Sequence, residues 1–347
     1  MIGISVFAGM ESTLTENIEY IQQASELGIN NLFTSLHIPE ASEEFEAEML
    51  ELLNEASKLN MSIIADISKK YYERLELKDY KLDSLRLDFG FSKQEIAELT
   101  NSSDFSITLN ASTLDRIQLE EILKAGGDLS KINACYNYYP RRETGMSEEL
   151  FKERNRLFNQ YGIKVIAFIS SDYKTRGPIY EGLPTLEKHR GSDPLVAAQH
   201  LIKLGTDLVL VGDSRASDDE LLRLARIKKD TVLLPIKAHT NLNEQERYLL
   251  KQTYTNRKDP GEFIIRAQEA RGYKQGRILP NNTTERLKYS VTIDNQKYLR
   301  YEGDLQILKK NLTADPRVNV VADATEAAML IEVLEPGDKF EFQIKEE

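Results

Sequence analysis

The sequence is poor in the residues that build covalent or metal-bound frameworks. It has one cysteine, Cys135, and no tryptophan in 347 residues. A single cysteine excludes an internal disulfide framework and a cysteine-rich metal site, and its neighbours in the string NACYNYYP predict a core residue rather than a reactive thiolate. We expect no bound metal and no cofactor. The histidines lack the HxH and HExxH spacings of zinc sites: His37, His189, His200 and His239.

A cationic surface and long apolar runs are also missing. The formal net charge is −11 and the isoelectric point is about 5.2, which argues against nonspecific binding to nucleic acid or to an anionic membrane. No apolar run is long enough to span a bilayer, and the first residues, MIGISVFAGME, lack the basic start and apolar stretch of a signal peptide. We therefore expect a cytoplasmic protein whose partner is a small molecule.

Short apolar, strand-like segments alternate with helical segments in the first two thirds of the chain. Thr13–Glu16 and Ser217–Glu220 have the spacing of helix capping boxes, and Asp193–Pro194 predicts another helix start. Eight strand–helix repeats in roughly 225 residues predict a protein of the α/β class with a (β/α)8 TIM barrel. A doubly wound open sheet is the alternative, but no GxGxxG follows the first strand and no GxxxxGK[ST] is present. The predicted strands are Ile2–Phe7, Asn31–Leu36, Ser62–Ile67, Ser84–Phe89, Phe105–Asn110, Ile132–Tyr139, Lys164–Ser170 and Asp207–Gly212.

The pattern changes after Lys229. From there on the chain has turn signals such as DNQ and EPGD, few helical segments and further strand-like segments, which predicts a small, mostly-β domain with a barrel or sandwich fold. We therefore divide the chain into a barrel domain, residues 1–229, and a β-domain, residues 230–347. The strands predicted in the β-domain are Thr231–Ala238, Phe263–Ala267, Lys288–Thr292, Asn319–Ala322 and Lys339–Ile344.

Polar residues stand at the carboxyl ends of the predicted barrel strands, where the reacting groups of barrel enzymes are found. Because side chains alternate along a strand, Arg86 lies one layer below Asp88 and is placed to hold it ionised. Structural interpretations stay open: Asp66 and Asn110 as helix caps, and His37 as a structural histidine. The residues that end strands 2 to 6 are His37, Asp66, Asp88, Asn110 and Asn137, with Arg141 shortly after.

The segment 176–190, RGPIYEGLPTLEKHR, follows the seventh strand and is dense in acids and bases. No helical or alternating apolar period runs through it, and its prolines and glycines favour a shaped loop over a flexible one. An ordinary polar surface loop is the alternative. We predict that the segment folds over the barrel opening, where its charged groups bind an anion and move protons. These groups, with one tyrosine, are Arg176, Tyr180, Glu181, Glu187, Lys188, His189 and Arg190.

Two acids across a sugar-sized gap, with asparagines and a tyrosine for hydroxyl groups, are typical of the cleavage of a glycosidic bond. One acid protonates the leaving oxygen, and the other acts as nucleophile or base or stabilises positive charge at the anomeric carbon. The basic residues would then bind a negatively charged substrate, because arginine makes bidentate contacts to phosphate or carboxylate.

At these residues the chain resembles a known family, the bacterial 6-phospho-N-acetylmuramidases. The similar strings are GISVF, LRLDFGF, NAS, NYYPR, RGPIYEGLPTLEKHR, PNNTTER and RVNVVAD, and they span nearly the whole chain. The resemblance implies a TIM barrel followed by a cyclophilin-like β-domain. It also implies cytoplasmic cleavage of the β-1,4 bond in N-acetylmuramic acid 6-phosphate–N-acetylglucosamine, a phosphorylated amino-sugar disaccharide, during cell-wall recycling.

The resemblance and the strand-end positions together select the candidate site residues. Asp88 and Glu181 are the predicted carboxylate pair, with Glu187 and Asp66 as substitutes. In a substrate-assisted mechanism the 2-acetamido group of the sugar would replace an enzyme nucleophile. The predicted anion-binding residues are Arg141, Arg176, His189 and Arg190. The full set of predicted substrate-binding residues is His37, Arg86, Asn110, Asn137, Arg141, Arg176, Tyr180, Lys188, His189 and Arg190.

Two other functions stay open on the sequence alone. A phosphosugar-binding protein without activity would explain the basic loop but would make no use of the acids. A pyridoxal-phosphate racemase-like barrel would need a Schiff-base lysine at the end of the first strand. Ile2–Phe7 and the residues just after it contain no lysine.

Overall fold

The computed structural model describes residues 1–36, 45–74 and 81–345. These residues form two compact units, Met1–Arg226 and Ile227–Glu347. His37, one of the predicted substrate-binding residues, lies outside the described residues.

The first unit is a closed barrel of eight parallel strands in chain order, which confirms the predicted TIM barrel. Each strand pairs with the next, and the first pairs with the eighth, where Ile2 lies opposite Val209. Most strand residues are buried and apolar, as expected for a parallel sheet covered on both faces. The strands are β1 Ile2–Ser5, β2 Asn31–Ser35, β3 Ser62–Ile67, β4 Ser84–Leu87, β5 Ser106–Asn110, β6 Ile132–Cys135, β7 Lys164–Ile169 and β8 Leu208–Val211.

Helices alternate with these strands. Thr13–Glu16 and Ser217–Glu220 form capping boxes at the first and the eighth helix, and Asp193 caps the seventh just before Pro194, which confirms the predicted helix starts. No helix among the described residues is both long and apolar enough to cross a membrane. The helices of this unit are α1 Leu14–Glu26, α2 Phe45–Lys58, α3 Lys69–Tyr72, α4 Lys93–Ser102, α5 Arg116–Lys124, α6 Glu148–Gln160, α7 Pro194–Lys203 and α8 Asp218–Ala225.

Several barrel strands end earlier than the apolar pattern predicts. The pattern extends the sixth strand to Tyr139, but β6 ends at Cys135, and β4 ends at Leu87 rather than Phe89. Tyr136 is fully buried although it lies beyond the last residue of its strand. An apolar pattern reports residue type rather than strand pairing, so it includes Tyr136, which is buried beyond its strand, and equally Phe89, which is 66% exposed.

Aromatic side chains from several strands meet inside the barrel. Phe33 and Phe168 pack edge to face with ring centroids 5.2 Å apart, and Phe7 packs against Phe33 in the same manner. Cys135 belongs to this cluster, and burial raises the pKa of its thiol to about 12. The cysteine is therefore a core residue, as the sequence predicts.

The second unit is built on a seven-stranded sheet, which confirms a mostly-β domain. Its strand order is β10-β15-β9-β14-β12-β13-β11, and only the β15–β9 pair is parallel among the described residues. The sequence prediction missed β10 and β13. The strands are β9 Thr231–Ala238, β10 Thr253–Thr255, β11 Ile264–Arg266, β12 Ser290–Asp294, β13 Leu305–Leu308, β14 Val318–Asp323 and β15 Lys339–Ile344; the short helices are α9 Glu244–Leu249, α10 Ala270–Tyr273 and α11 Ala328–Val333.

Candidate active site

A cavity of about 190 Å³ opens at the carboxyl ends of the barrel strands, and we call it the mouth pocket. Aromatic rings form one part of its wall. Charged and amide side chains from β3, β4 and the segment after β6 form the other part. Such a mixture of aromatic wall and converging polar groups is typical of a small-molecule site. The lining residues are Phe33, Asp66, Arg86, Asp88, Tyr136, Asn137, Tyr138 and Phe168.

Arg86 is the central charged residue of the mouth pocket. Its Nη1 lies 2.6 Å from Asp66 Oδ1 and 3.6 Å from Asp88 Oδ1. Burial disfavours the charged form of this guanidinium, but the neighbouring carboxylates, Asp66 foremost, outweigh burial and raise its pKa. Arg86 therefore stays a cation and holds two carboxylates at the pocket.

The shared arginine also limits the separation of the two aspartates. Because Asp66 Oδ1 and Asp88 Oδ1 both approach the same nitrogen, they lie no farther apart than the two distances laid end to end, about 6.2 Å. The carboxyl groups of retaining glycosidases are about 5–5.5 Å apart, and those of inverting enzymes about 6.5–9.5 Å. This upper limit on the separation of the two Oδ1 atoms lies between the two ranges.

The amide of Asn137 is oriented by the same arginine. Arg86 Nη2 donates to Asn137 Oδ1 over 2.7 Å, and because a guanidinium has no acceptor, the oxygen of the amide must face it. The Nδ2 group of Asn137 has no acceptor among the described residues, so it remains able to donate to a ligand. The Asn137 backbone N–H donates to Ser112 Oγ, which fixes the segment after β6.

Arg176 lies beside the mouth pocket with its guanidinium flat against aromatic rings. Its Cζ is 4.1 Å from the Phe7 ring centroid, and its Nη1 donates to the Tyr138 hydroxyl over 2.9 Å. The Nε atom is buried and has no partner among the described residues. The side chain is thus a positioned cation with a donor left open, which suits an anionic ligand.

Asp213, just after β8, holds the segment after β7 in place. Its carboxylate is fully buried and accepts hydrogen bonds from the backbone N–H groups of Ser171 (2.9 Å), Arg176 (3.0 Å) and Leu183 (3.3 Å). Burial raises the pKa of Asp213, and the three N–H groups oppose that rise. One carboxylate therefore ties together three points of the loop that carries Arg176.

Two further acids bind the same loop from other elements. Glu11 accepts a hydrogen bond from the Gly177 N–H over 2.7 Å and another from the Ser214 hydroxyl. Burial opposes ionisation of Glu11, but these hydrogen bonds outweigh it and lower the pKa. Glu220 accepts from the Ser171 hydroxyl and from the Asp172 N–H. These backbone contacts make the loop a shaped one.

Arg190 and Glu187 act as an internal brace, which corrects two sequence-based assignments. Arg190 donates to Glu187 and to the backbone carbonyls of Tyr139, Glu181 and Gly182. Glu187 also accepts from the N–H groups of residues 143 and 145, and its pKa falls to about 2, mainly through the Arg190 bond. Arg190 is therefore engaged in internal contacts rather than placed to bind an anion. Glu187 is likewise engaged and is not placed to act as a catalytic carboxylate.

His189 and Lys188 are not among the residues that line the mouth pocket. His189 is fully buried, its Nε2 is 2.9 Å from His200 Nδ1, and burial lowers its pKa to about 3. A neutral, enclosed imidazole cannot bind an anion, so the anion-binding assignment of His189 is wrong. Lys188 pairs with Glu148 at 2.5 Å and lines neither cavity of the site.

Glu181 lines a second, larger cavity of about 620 Å³, which we call the side cleft. The predicted pair of Asp88 and Glu181 is therefore not brought into one cavity. Glu181 instead pairs with Arg142 at 3.1 Å. Tyr180 lines the same cleft. The lining residues are Arg142, Glu143, Ser170, Ser171, Asp172, Thr175, Tyr180, Glu181, Gly182, Glu187, Arg190 and Gly191.

The positions of Arg141 and Asn110 in the structure differ from those that the sequence indicates. The Arg141 side chain is exposed and makes no hydrogen bond or ion pair with a described residue, whereas its neighbour Arg142 lines the side cleft. Asn110 does not cap the next helix, because Asp115 caps α5. The Asn110 side chain instead accepts from the Ser112 N–H over 3.0 Å and shapes the turn after β5.

Sequence reasoning missed Tyr138, Asp213 and Arg142. The rule that found Asp66 and Asp88, a polar residue at the carboxyl end of a strand, also finds Asp213 when it is applied to the eighth strand. Tyr138 and Arg142 lie in the loop after β6, where the apolar pattern places strand residues up to 139. No group of three or more potential metal ligands occurs within the ranges that the structure describes.

The closed barrel, with paired aspartates at the carboxyl ends of its strands, defines a TIM-barrel protein that carries a second, mostly-β domain. Residues 2–226 match the family model described as 6-phospho-N-acetylmuramidase, N-terminal, and residues 232–343 match the corresponding C-terminal model. The chain belongs to the 6-phospho-N-acetylmuramidase family.

Two solved structures resemble the whole chain. A conserved protein with an unknown function from Enterococcus faecalis is 32% identical with a TM-score of 0.80, over 99% of this chain and 96% of its own. An uncharacterized B. cereus protein is 30% identical with a TM-score of 0.89, over 99% of each chain. No curated protein matches the sequence.

Proposed function

We propose that the protein is a glycoside hydrolase that cleaves the β-1,4 bond of N-acetylmuramic acid 6-phosphate–N-acetylglucosamine. The observation that carries the proposal is the carboxylate pair, Asp66 and Asp88, held on Arg86 in an aromatic-walled pocket of a chain from this family. The family description supplies the phosphorylated muramic acid. The pocket supplies the two acids that the reaction requires.

The two aspartates take different roles because Arg86 contacts them differently. The 2.6 Å bond from Arg86 favours the ionised form of Asp66, which suits a group that attacks the anomeric carbon or stabilises its positive charge. Asp88 is farther from the cation, and 32% of its side chain is exposed, against 16% for Asp66. Asp88 is therefore the group that protonates the leaving oxygen and later takes a proton from water.

The remaining pocket residues bind the sugar. The Asn137 Nδ2 group is oriented to donate to a sugar oxygen or to the acetamido carbonyl. The rings of Phe33, Tyr138 and Phe168 supply the apolar wall against which a sugar ring packs and from which water is excluded. Attack by the 2-acetamido group of the substrate, with Asp66 as its polarising partner, uses the same residues.

Arg176 is the residue that we assign to the anionic groups of the substrate. Its ring contacts to Phe7 and Tyr138 hold the planar guanidinium beside the pocket, and its buried Nε atom has no partner among the described residues. A phosphate or a lactyl carboxylate matches that geometry. The protein as a whole is acidic, so a local cation is needed to bind an anionic sugar.

The cellular setting of the proposal follows from the substrate. We place the reaction in the cytoplasm, in the recycling of cell-wall sugars. The seven-stranded sheet supports, for the second domain, the cyclophilin-like fold that the sequence resemblance implies.

The test is the activity of isosteric aspartate variants on the phosphorylated disaccharide. Asp88→Asn and Asp66→Asn should each lower kcat by about a hundredfold or more, because an amide neither protonates the leaving oxygen nor carries the charge. Asp104→Asn, an exposed aspartate before β5, is the matched control and should leave kcat unchanged. Full activity in both pocket variants would remove the catalytic assignment. Binding of the disaccharide by wild type without turnover would favour the phosphosugar-binding alternative.

A further inference from the structure

The side cleft begins where the mouth pocket ends. Phe168 of β7 lines the pocket, and Ser170, two residues on, lines the cleft. Residues two apart in extended backbone point to the same side, roughly 6.6 Å farther along the chain. The segment after β6 repeats this arrangement, since it supplies Asn137 to the pocket and Arg142 to the cleft. The two cavities are therefore neighbours along two adjacent strands.

The Ser170 hydroxyl indicates that the side cleft takes a ligand. Ser170 is only 7% exposed, and its Oγ atom has no hydrogen-bond partner among the described residues. Gly182 is what leaves this hydroxyl uncovered: its φ of +78° is one that side chains disfavour, and a Cβ there would lie 2.6 Å from Ser170 Oγ. A buried hydroxyl without a partner is unfavourable, so it is satisfied when a ligand hydroxyl or carbonyl enters the cleft.

The charges of the cleft disfavour an anionic occupant. Of its ionisable groups, Arg190 is paired with Glu187, and Arg142 with Glu181. Glu143 and Asp172 remain without a cation that offsets them in the cleft lining. The lining therefore holds more carboxylates than cations, which repels a phosphate or a carboxylate, and its acids accept hydrogen bonds from neutral hydroxyl groups.

Tyr180 gives the cleft an aromatic face. The residue is 59% exposed and has a φ of +59°, a conformation that few residues other than glycine adopt. Its hydroxyl group lies over Gly177. An exposed aromatic ring beside polar groups offers a sugar an apolar surface for its C–H face while its hydroxyl groups reach the acids.

We propose that the side cleft is the subsite for the leaving sugar, an uncharged N-acetylated hexosamine, while the phosphorylated ring occupies the mouth pocket. This inference rests on the proposed function. Ser170 and Glu181 bind hydroxyl groups of the leaving sugar, and Tyr180 packs against its ring. The division of charge between the cavities, with Arg176 beside the pocket and an excess of acids in the cleft, orients the disaccharide in one direction.

The experiment compares two substrates that differ only in the leaving group: the phosphorylated disaccharide and the β-glycosyl fluoride of the same phosphorylated sugar, which has no second ring. Ser170→Ala and Glu181→Gln are tested, with Glu121→Gln on the exposed face of α5 as the matched carboxylate control. Each cleft variant should lower kcat/KM for the disaccharide about three- to tenfold more than for the fluoride, the effect of one lost hydrogen bond. Glu121→Gln should not separate the two substrates.

Folding does not confound the serine variant. Because Ser170 Oγ is buried and has no partner among the described residues, its removal should not lower the melting temperature. An equal loss on both substrates, or no loss on either, would overturn the leaving-sugar subsite while the proposed hydrolase stands.

A second measurement distinguishes failure of the subsite proposal from failure of the hydrolase proposal. If wild type cleaves neither substrate, the hydrolase proposal fails, and the cleft is then tested by saturation-transfer NMR with N-acetylglucosamine alone. Binding to wild type that weakens in Ser170→Ala would support the subsite, and absence of binding to wild type would overturn it.

Discussion

At the scale of single residues, Arg86 positions the charged groups of the mouth pocket. One guanidinium contacts Asp66, Asp88 and Asn137 and so fixes two carboxylates and the orientation of an amide. The sequence predicts Arg86 below Asp88 from strand alternation, yet the shorter bond goes to Asp66 on the neighbouring strand. A cross-strand partner depends on barrel register, which residue types along one strand do not report.

The separation of the aspartates predicts the stereochemical outcome. One arginine nitrogen holds the Oδ1 atoms of both aspartates within about 6.2 Å of each other, so we expect hydrolysis to retain the anomeric configuration, whether Asp66 or the 2-acetamido group attacks. Proton NMR of the first sugar anomer formed from the phosphorylated disaccharide measures this outcome. Early formation of the α-anomer would instead require a water molecule between the two acids.

Arg176 should determine the preference for a phosphorylated substrate. Arg176→Ala should lower kcat/KM for the phosphorylated disaccharide about a hundredfold and change the value for the unphosphorylated one far less, because only the former loses a charge-assisted bond. Arg226→Ala, at an exposed position, is the control. If both substrates lose activity equally, the role of Arg176 is to pack against Phe7 and Tyr138.

At the scale of an element, the loop after β7 shows that charged side chains can stabilise a loop instead of binding a ligand. Its acids and bases are predicted to bind an anion and move protons, yet Glu187 and Arg190 mainly bind each other and loop backbone. Composition predicts that the loop is shaped. It does not distinguish a charge that folds the loop from one that meets a ligand, because both kinds of residue are polar and lack a period.

Asp213 should control the order of this loop. Asp213→Asn replaces one acceptor oxygen by a donor that faces backbone N–H groups, which should lower the free energy of unfolding by about 1–3 kcal/mol. Chemical denaturation measures the loss, and limited proteolysis within residues 171–190 should become faster. The Asp104→Asn variant serves as control. Unchanged stability and unchanged proteolysis would show that the loop is held by its other contacts.

The buried pair of His189 and His200 should make stability fall on acidification. Burial lowers their pKa values to about 3 and about 4, with nearby Lys188 opposing protonation of both. The unfolded chain binds protons near pH 6.5 while the folded chain does not, so the stabilisation is complete above that pH and is lost as pH falls toward 4. The slope is up to about 1.4 kcal/mol per pH unit for each histidine.

Urea denaturation between pH 4 and 7 measures that slope. The double variant His189→Gln and His200→Gln should show a shallower dependence than wild type. Carboxylates titrate in the same range in both proteins, so the difference in slope reports the histidine pair. An identical slope in the double variant would contradict the assignment of two neutral buried imidazoles.

The whole molecule shows which properties of the sequence carry the fold. The sequence predicts a TIM barrel and a mostly-β domain from its repeated apolar segments, its capping boxes and a change of pattern near Lys229. This works because the periodic burial of helices and strands requires apolar residues at regular positions. The site is less predictable. Asp66, Asp88 and Arg176 follow from strand ends and from a dense loop, but the division into a mouth pocket and a side cleft depends on packing between loops that are distant in sequence.

The acidity of the whole chain makes phosphate recognition the central claim of this account. A protein with a formal net charge of −11 should not favour an anionic sugar unless a local cation, here Arg176, binds it. The direct test is kcat/KM of the wild-type protein for the disaccharide with and without the 6-phosphate. We predict that the phosphorylated disaccharide is preferred by at least about a hundredfold, the value of one charge-assisted contact. Equal turnover of the two disaccharides, or cleavage of neither, would contradict the account.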